Sequence, residues 1–159
     1  MKITGEHTRA YVQGYFQYDS KKSGGVTLCH LRFDKNPIKS TYYVEKASLV
    51  VCTKDRYLTR LSVLDRINKG GIFLLNPNME KDEILKNMSV KDKRILQNKN
   101  VKFYIVDSSQ IANEVGLPGK ISAIMETLIF KLGKVIDFNF VREEIKKKLK
   151  KNLLIRVEI

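Results

Sequence analysis

Apolar positions change their rhythm near residue 48, and the elements follow from that change. Before it, aromatic and β-branched residues cluster in short runs. Residues 9–18, Arg-Ala-Tyr-Val-Gln-Gly-Tyr-Phe-Gln-Tyr, predict a strand with a bulge or close backbone approach at Gly14. Residues 26–33 predict a second strand. One face carries Val26, Leu28, His30 and Arg32, and the other Thr27, Cys29, Leu31 and Phe33. A polar turn of Ser20, Lys21, Lys22, Ser23, Gly24 and Gly25 separates them, and Asp34-Lys35-Asn36-Pro37 reads as a second turn.

After residue 48 the runs suit a different layout. Ser48-Leu49-Val50-Val51-Cys52 is continuously apolar from Leu49, as a strand buried on both faces requires. Leu58, Leu61, Leu64 and Ile67 then recur at helical spacing and predict a helix over 55–68, ended by Asn68-Lys69-Gly70-Gly71 with glycine in the left-handed conformation. Ile72-Phe73-Leu74-Leu75 predicts a second buried strand, 80–98 is helical in parts, and 101–106 is a third strand. Asp107 or Ser108 caps a short helix closed by Gly116. Ile121, Ile124, Met125, Leu128, Ile129 and Leu132 share one helical face, and Val141, Ile145 and Leu149 do so in a last helix over 139–151.

Short apolar strands alternating with helices predict an α/β fold, a mostly parallel sheet covered by helices. The aromatic N-terminal strands either join that sheet or pair beside it. No internal repeat or linker divides the sequence, so residues 1–159 are expected to form a single domain.

Charge adds a constraint on partners. Lys and Arg number 30 against 17 Asp and Glu, a net +13, which favours anionic ligands: nucleotide cofactors, nucleic acid, an anionic membrane surface or an acidic protein. The lysine-rich run at 142–151 keeps a nucleic-acid-binding module as the alternative reading, although its mixed charge and lysines near a helix C-terminus also suit a solvated helix face unaided. Two cysteines, Cys29 and Cys52, and two histidines, His7 and His30, make no metal-ligand spacing, so neither a metal nor a cluster is expected here. No run reaches the roughly 18 to 20 apolar residues of a membrane helix. The N-terminus lacks the apolar core of a signal peptide, and a cytoplasmic setting with free thiols is expected.

Catalytic templates are missing: no Walker A, GxGxxG, GxSxG or HExxH is present. Cys29 and His30 are adjacent on a strand and so point to opposite faces, which does not suit a nucleophile and its base. The polar turn is different. Lys21 and Lys22 supply charge, Ser20 and Ser23 supply hydroxyls, and Gly24 and Gly25 let backbone N–H groups approach an anion. His30 and Arg32 share a strand face and are candidates to help surround the same anion.

The run from Tyr11 through Ser20-Lys21-Lys22-Ser23-Gly24-Gly25-Val26-Thr27, followed by His30-Leu31-Arg32-Phe33, resembles the gamma domain of pyruvate:ferredoxin (flavodoxin) oxidoreductases. So do Pro37-Ile38-Lys39-Ser40-Thr41-Tyr42, Gly70-Gly71-Ile72-Phe73-Leu74-Leu75-Asn76, Lys102-Phe103-Tyr104 and Ile111-Ala112-Asn113-Glu114-Val115-Gly116-Leu117. The matches run in order over residues 2–150. The resemblance implies one part of a 2-oxoacid oxidoreductase that converts pyruvate and coenzyme A to acetyl-CoA and CO2. Electrons would pass to ferredoxin or flavodoxin. It also implies that thiamine diphosphate, Mg and iron–sulfur clusters belong to other domains or subunits of the parent, with coenzyme A as the substrate held here. The 20–25 turn, with His30 and Arg32, would then bind coenzyme A, and no catalytic residue is expected. The family's gamma domain opens with a strand, a Gly-rich loop and a helix before the aromatic stretch. Their absence here implies an incomplete domain. Cys29 replaces an expected small polar residue, and residues 152–159 depart from the family's tail.

Overall fold

Ile72-Phe73-Leu74-Leu75 offers water nothing to bond on either side of a strand, so the fold must cover both sides. The computed structural model describes residues 10–19 and 25–157, and side chains as far as residue 150. In chain order its strands are β1 (Tyr11–Tyr18), β2 (Thr27–Asp34), β3 (Ala47–Cys52), β4 (Ile67–Leu75) and β5 (Lys102–Ile105). Its helices are α1 (Tyr57–Arg60), α2 (Lys81–Asn87), α3 (Val90–Asn98), α4 (Ser108–Glu114), α5 (Ile121–Gly133) and α6 (Phe138–Val157). The chain divides into two compact units, Met1–Glu45 and Lys46–Ile159.

The second unit has the expected α/β character. β3, β4 and β5 form a parallel sheet with β4 in the middle, and Phe73, Leu74 and Leu75 are fully buried. Alternation splits the sheet's side chains cleanly. Cys52, Phe73 and Leu75, with Val50, Phe103 and Ile105, meet Leu58 of α1, Ile84 of α2, and Ile95 and Leu96 of α3. Phe73 and Phe103 are cross-strand partners with rings stacked 5.0 Å apart. On the opposite face α5 lies against β3, while Lys102 and Tyr104 of β5 stay exposed. Each large apolar side chain removed from water contributes about 1.5–3 kcal/mol, so the three buried residues of β4 anchor both layers.

Helix ends follow their sequence signals. Ser89 caps α3, its hydroxyl accepting from the Asp92 N–H at 3.0 Å and donating to the Asp92 carboxylate at 2.8 Å. Asp107 caps α4 by accepting from the N–H groups of Ser109 and Gln110, both at 2.9 Å. Val141 and Ile145 of α6 are buried, and α6 packs on α5.

The helix expected over 55–68 is largely replaced. Only α1 is helical, Leu61 is extended, and Ile67 already begins β4. The three-residue spacing of Leu58, Leu61, Leu64 and Ile67 comes largely from a turning connection: Leu58, Leu64 and Ile67 drop into one core cluster, while Leu61 stays only partly buried. Buried Asp55 holds that connection, accepting from the N–H groups of Arg56 and Asn78, each at 2.7 Å.

Asn68-Lys69-Gly70-Gly71 therefore bulges within β4 instead of ending a helix. Ala47 pairs with Ile67 and Leu49 with Ile72, so five steps of β4 oppose two of β3. Gly70 takes φ 70° and donates its N–H to the Lys99 carbonyl at 2.6 Å. The Lys99 ammonium donates to the Ile67 carbonyl at 2.7 Å, pinning the bulge from the end of α3.

In the first unit, β1 and β2 form their own two-stranded antiparallel sheet and pair, among the described residues, only with each other. Tyr15 faces His30 and Gln13 faces Arg32 across the ladder.

Two predictions follow from these placements. A Cβ at residue 70 meets open space, so Gly70→Ala costs only the left-handed backbone, about 1 kcal/mol. A Cβ at residue 71 would lie 2.8 Å from Ile67 Cγ1 and 3.0 Å from the Asn68 carbonyl, so Gly71→Ala costs about 2–3 kcal/mol. Urea unfolding of the two variants should show that order, and equal losses would contradict the bulge. Cys52 is buried and donates to the Lys54 carbonyl at 3.1 Å, and burial pushes its thiol up to about 11, whereas Cys29 is exposed. Native-state alkylation near neutral pH should modify Cys29 alone, with Cys52 reacting only on unfolding.

Candidate functional site

β1 and β2 hold the expected anion-binding turn between them. The Asp19 N–H donates to the Val26 carbonyl at 3.1 Å, continuing the ladder one step past Tyr18 and Thr27 and closing the neck of the turn. Ser20, Lys21, Lys22, Ser23 and Gly24 lie outside the described residues. Gly25, on the β2 side of the neck, is half-buried.

His30 and Arg32 sit further along β2, on one face, with their own partners. The His30 ring is 8% exposed. Its Nδ1 accepts from the Val44 N–H at 3.3 Å, and the Tyr43 ring lies 4.8 Å away. Arg32 Nη1 donates to Gln13 Oε1 at 3.0 Å, and its guanidinium stands 5.0 Å over the Tyr42 ring. Gln13 Nε2 in turn donates to the Ser40 carbonyl at 2.6 Å. Arg32 is five residues beyond Thr27, about 17 Å of extended strand. Gly25 thus lies at the neck of the turn, while His30 and Arg32 tie residues 35–45 to the hairpin.

Gln13, Ser40, Tyr42 and Tyr43 complete this tie. The one sequence signal for it is Gln13, a polar side chain on the same strand face as Tyr11 and Tyr15. Guanidinium, amide and carbonyl form a relay, Arg32 Nη1 to Gln13 Oε1 and Gln13 Nε2 to the Ser40 carbonyl, of the kind a half-buried polar cluster needs.

The lysines of α6 have local uses. Lys146 pairs with Glu143, Lys147 with Glu144, and Lys148 with Glu126 of α5. The Lys146 hydrogen bond holds the Glu143 carboxyl below its ordinary value, and the Glu144 carboxylate raises Lys147. Among the described residues no group of three or more His, Cys, Asp or Glu side chains could hold a metal, and no helix is long and apolar enough to cross a membrane.

Known proteins carry the same chain pattern. Residues 3–158 match the family model of pyruvate ferredoxin/flavodoxin oxidoreductase. The pyruvate:ferredoxin oxidoreductase of Moorella thermoacetica is 47% identical over 136 residues, 86% of this chain and 12% of that protein. The pyruvate-flavodoxin oxidoreductase of Trichormus variabilis is 41% identical over 95% of this chain and 13% of its own length. A pyruvate dehydrogenase [NADP(+)] of Cryptosporidium parvum is 38% identical over 95% of this chain and 8% of its own length. The chain thus spans about an eighth of the first two relatives. In structure it is similar to the pyruvate oxidoreductase subunit PORC of Thermotoga maritima, with a TM-score of 0.57 at 18% identity, over 87% of this chain and 68% of that one, a likeness of fold. With the family pattern running through both structural units, this chain belongs to the pyruvate ferredoxin/flavodoxin oxidoreductase family.

Proposed function

We propose that this chain serves as one part of a larger pyruvate:ferredoxin/flavodoxin oxidoreductase and holds the phosphate-bearing end of coenzyme A in the 20–25 turn. The parent reaction takes pyruvate and coenzyme A to acetyl-CoA and CO2 and delivers two electrons to ferredoxin or flavodoxin. The observation that carries the reading is family membership over nearly the whole chain, joined to a basic Ser/Lys/Gly turn at the tip of the β1–β2 hairpin.

In this reading the chain binds and orients, and the bond-making belongs elsewhere in the parent. Lys21 and Lys22 place two cationic charges against the phosphates of the 3′-phospho-ADP moiety. Ser20 and Ser23 donate hydroxyl hydrogens, and the N–H groups of Gly24 and Gly25 approach the oxygens without steric hindrance. His30 and Arg32 serve the same site from behind, holding residues 35–45 on the hairpin. In this reading thiamine diphosphate, Mg and iron–sulfur clusters are held outside this chain, whose two cysteines, Cys29 and Cys52, stand far apart in sequence. Those groups belong to other domains or subunits, which are this chain's partners. Two free thiols suit a cytoplasmic, reducing setting.

The test uses the full-length parent enzyme with Lys21→Ala and Lys22→Ala combined. The KM for coenzyme A should rise about tenfold or more while the KM for pyruvate holds, because the lost contacts touch only the nucleotide. An unchanged KM for coenzyme A would overturn the phosphate role.

A further inference from the structure

Residues 35–45 form a strap tied to one face of the hairpin by Gln13 to Ser40, Arg32 to Tyr42, and His30 to Val44 with Tyr43. The first two ties involve an amide and a permanently charged guanidinium, which keep their bonding near neutral pH. The third depends on a proton. Nδ1 accepts the Val44 N–H only while its lone pair is free, which requires neutral imidazole with the proton on Nε2. Imidazolium has an N–H on both nitrogens and meets the Val44 donor with another donor.

We propose that the His30–Val44 contact is a proton-operated latch: closed with His30 neutral, and open at the Val44 end of the strap once His30 is protonated. Tyr15 is the cross-strand neighbour of His30, and Arg32 and Asp34 lie on the same face of β2. The strap adds Lys35, Lys39, Tyr42, Tyr43 and, beside Val44, Glu45, all of them exposed, while the His30 side chain is almost wholly withdrawn from water. The open state binds one proton more than the closed state, so the closed population falls as pH falls. Tyr42 and Tyr43, exposed on the strap, are the side chains such opening would move. The latch stands on the hairpin's own geometry and does not depend on what the 20–25 turn binds.

Hydrogen exchange by NMR on the full chain tests it, with protection of the Val44 amide followed from about pH 7.5 to about pH 5.5. The Asp19 amide, bonded to Val26 in the same hairpin, is the control. Protection at Val44 should fall severalfold, up to about tenfold, while Asp19 changes less than about twofold. His30→Gln keeps a side-chain acceptor that does not titrate and should remove the pH dependence. His30→Leu should leave Val44 weakly protected throughout. Constant protection in the wild type, a parallel fall at Asp19, or an unaltered pH dependence in His30→Gln would overturn the latch.

Discussion

Burial of Phe73, Leu74 and Leu75 on both sides of one strand is the constraint on which the larger unit depends. A strand with no polar side needs two covering layers and two neighbouring strands, and the helices that follow β3 and β4 supply one of those layers. The bulge of β4 follows from the same demand. It lets a short β3 meet Ile72 through Leu75 in register while Ile67, five residues earlier, still enters the core. Gly70 makes the left-handed step, Gly71 clears the Ser48 carbonyl, and Lys99 ties the loop down.

The hairpin unit answers to a different physics. A two-stranded sheet has little interior and is marginal without something to cover a face. Here the cover is the chain's own strap, fastened through Gln13, His30 and Arg32 instead of an apolar core. That fastening braces a ladder that runs as far as the Asp19 N–H and the Val26 carbonyl. Residues that look, in sequence, like ligands for an anion thus have a positioning use.

Much of this was legible beforehand, and the exceptions have physical causes. The apolar runs at 48–52, 72–75 and 101–106 became β3, β4 and β5 because continuous burial leaves few other options for such short segments. Asp107 and Ser89 sit where a short polar side chain can bond the first free N–H groups of a helix. The helix over 55–68 failed because three-residue spacing cannot distinguish a helix from a turning chain whose apolar residues all fall inward. The glycine pair does supply left-handed backbone, at Gly70, but for a bulge within β4 and not for a helix end. His30 and Arg32 were placed on one face correctly. Their engagement with residues 35–45 depends on contacts up to 14 residues apart, which periodicity does not encode.

An NMR titration of the isotopically labelled chain with coenzyme A and with dephospho-coenzyme A tests whether residues 20–25 grip the nucleotide end, as proposed. The residue 20–25 amides should show saturable shifts, weakened when the 3′-phosphate is missing and when salt is raised, with the α6 lysine region unchanged. Equal responses to both compounds, or shifts confined to α6, would contradict it.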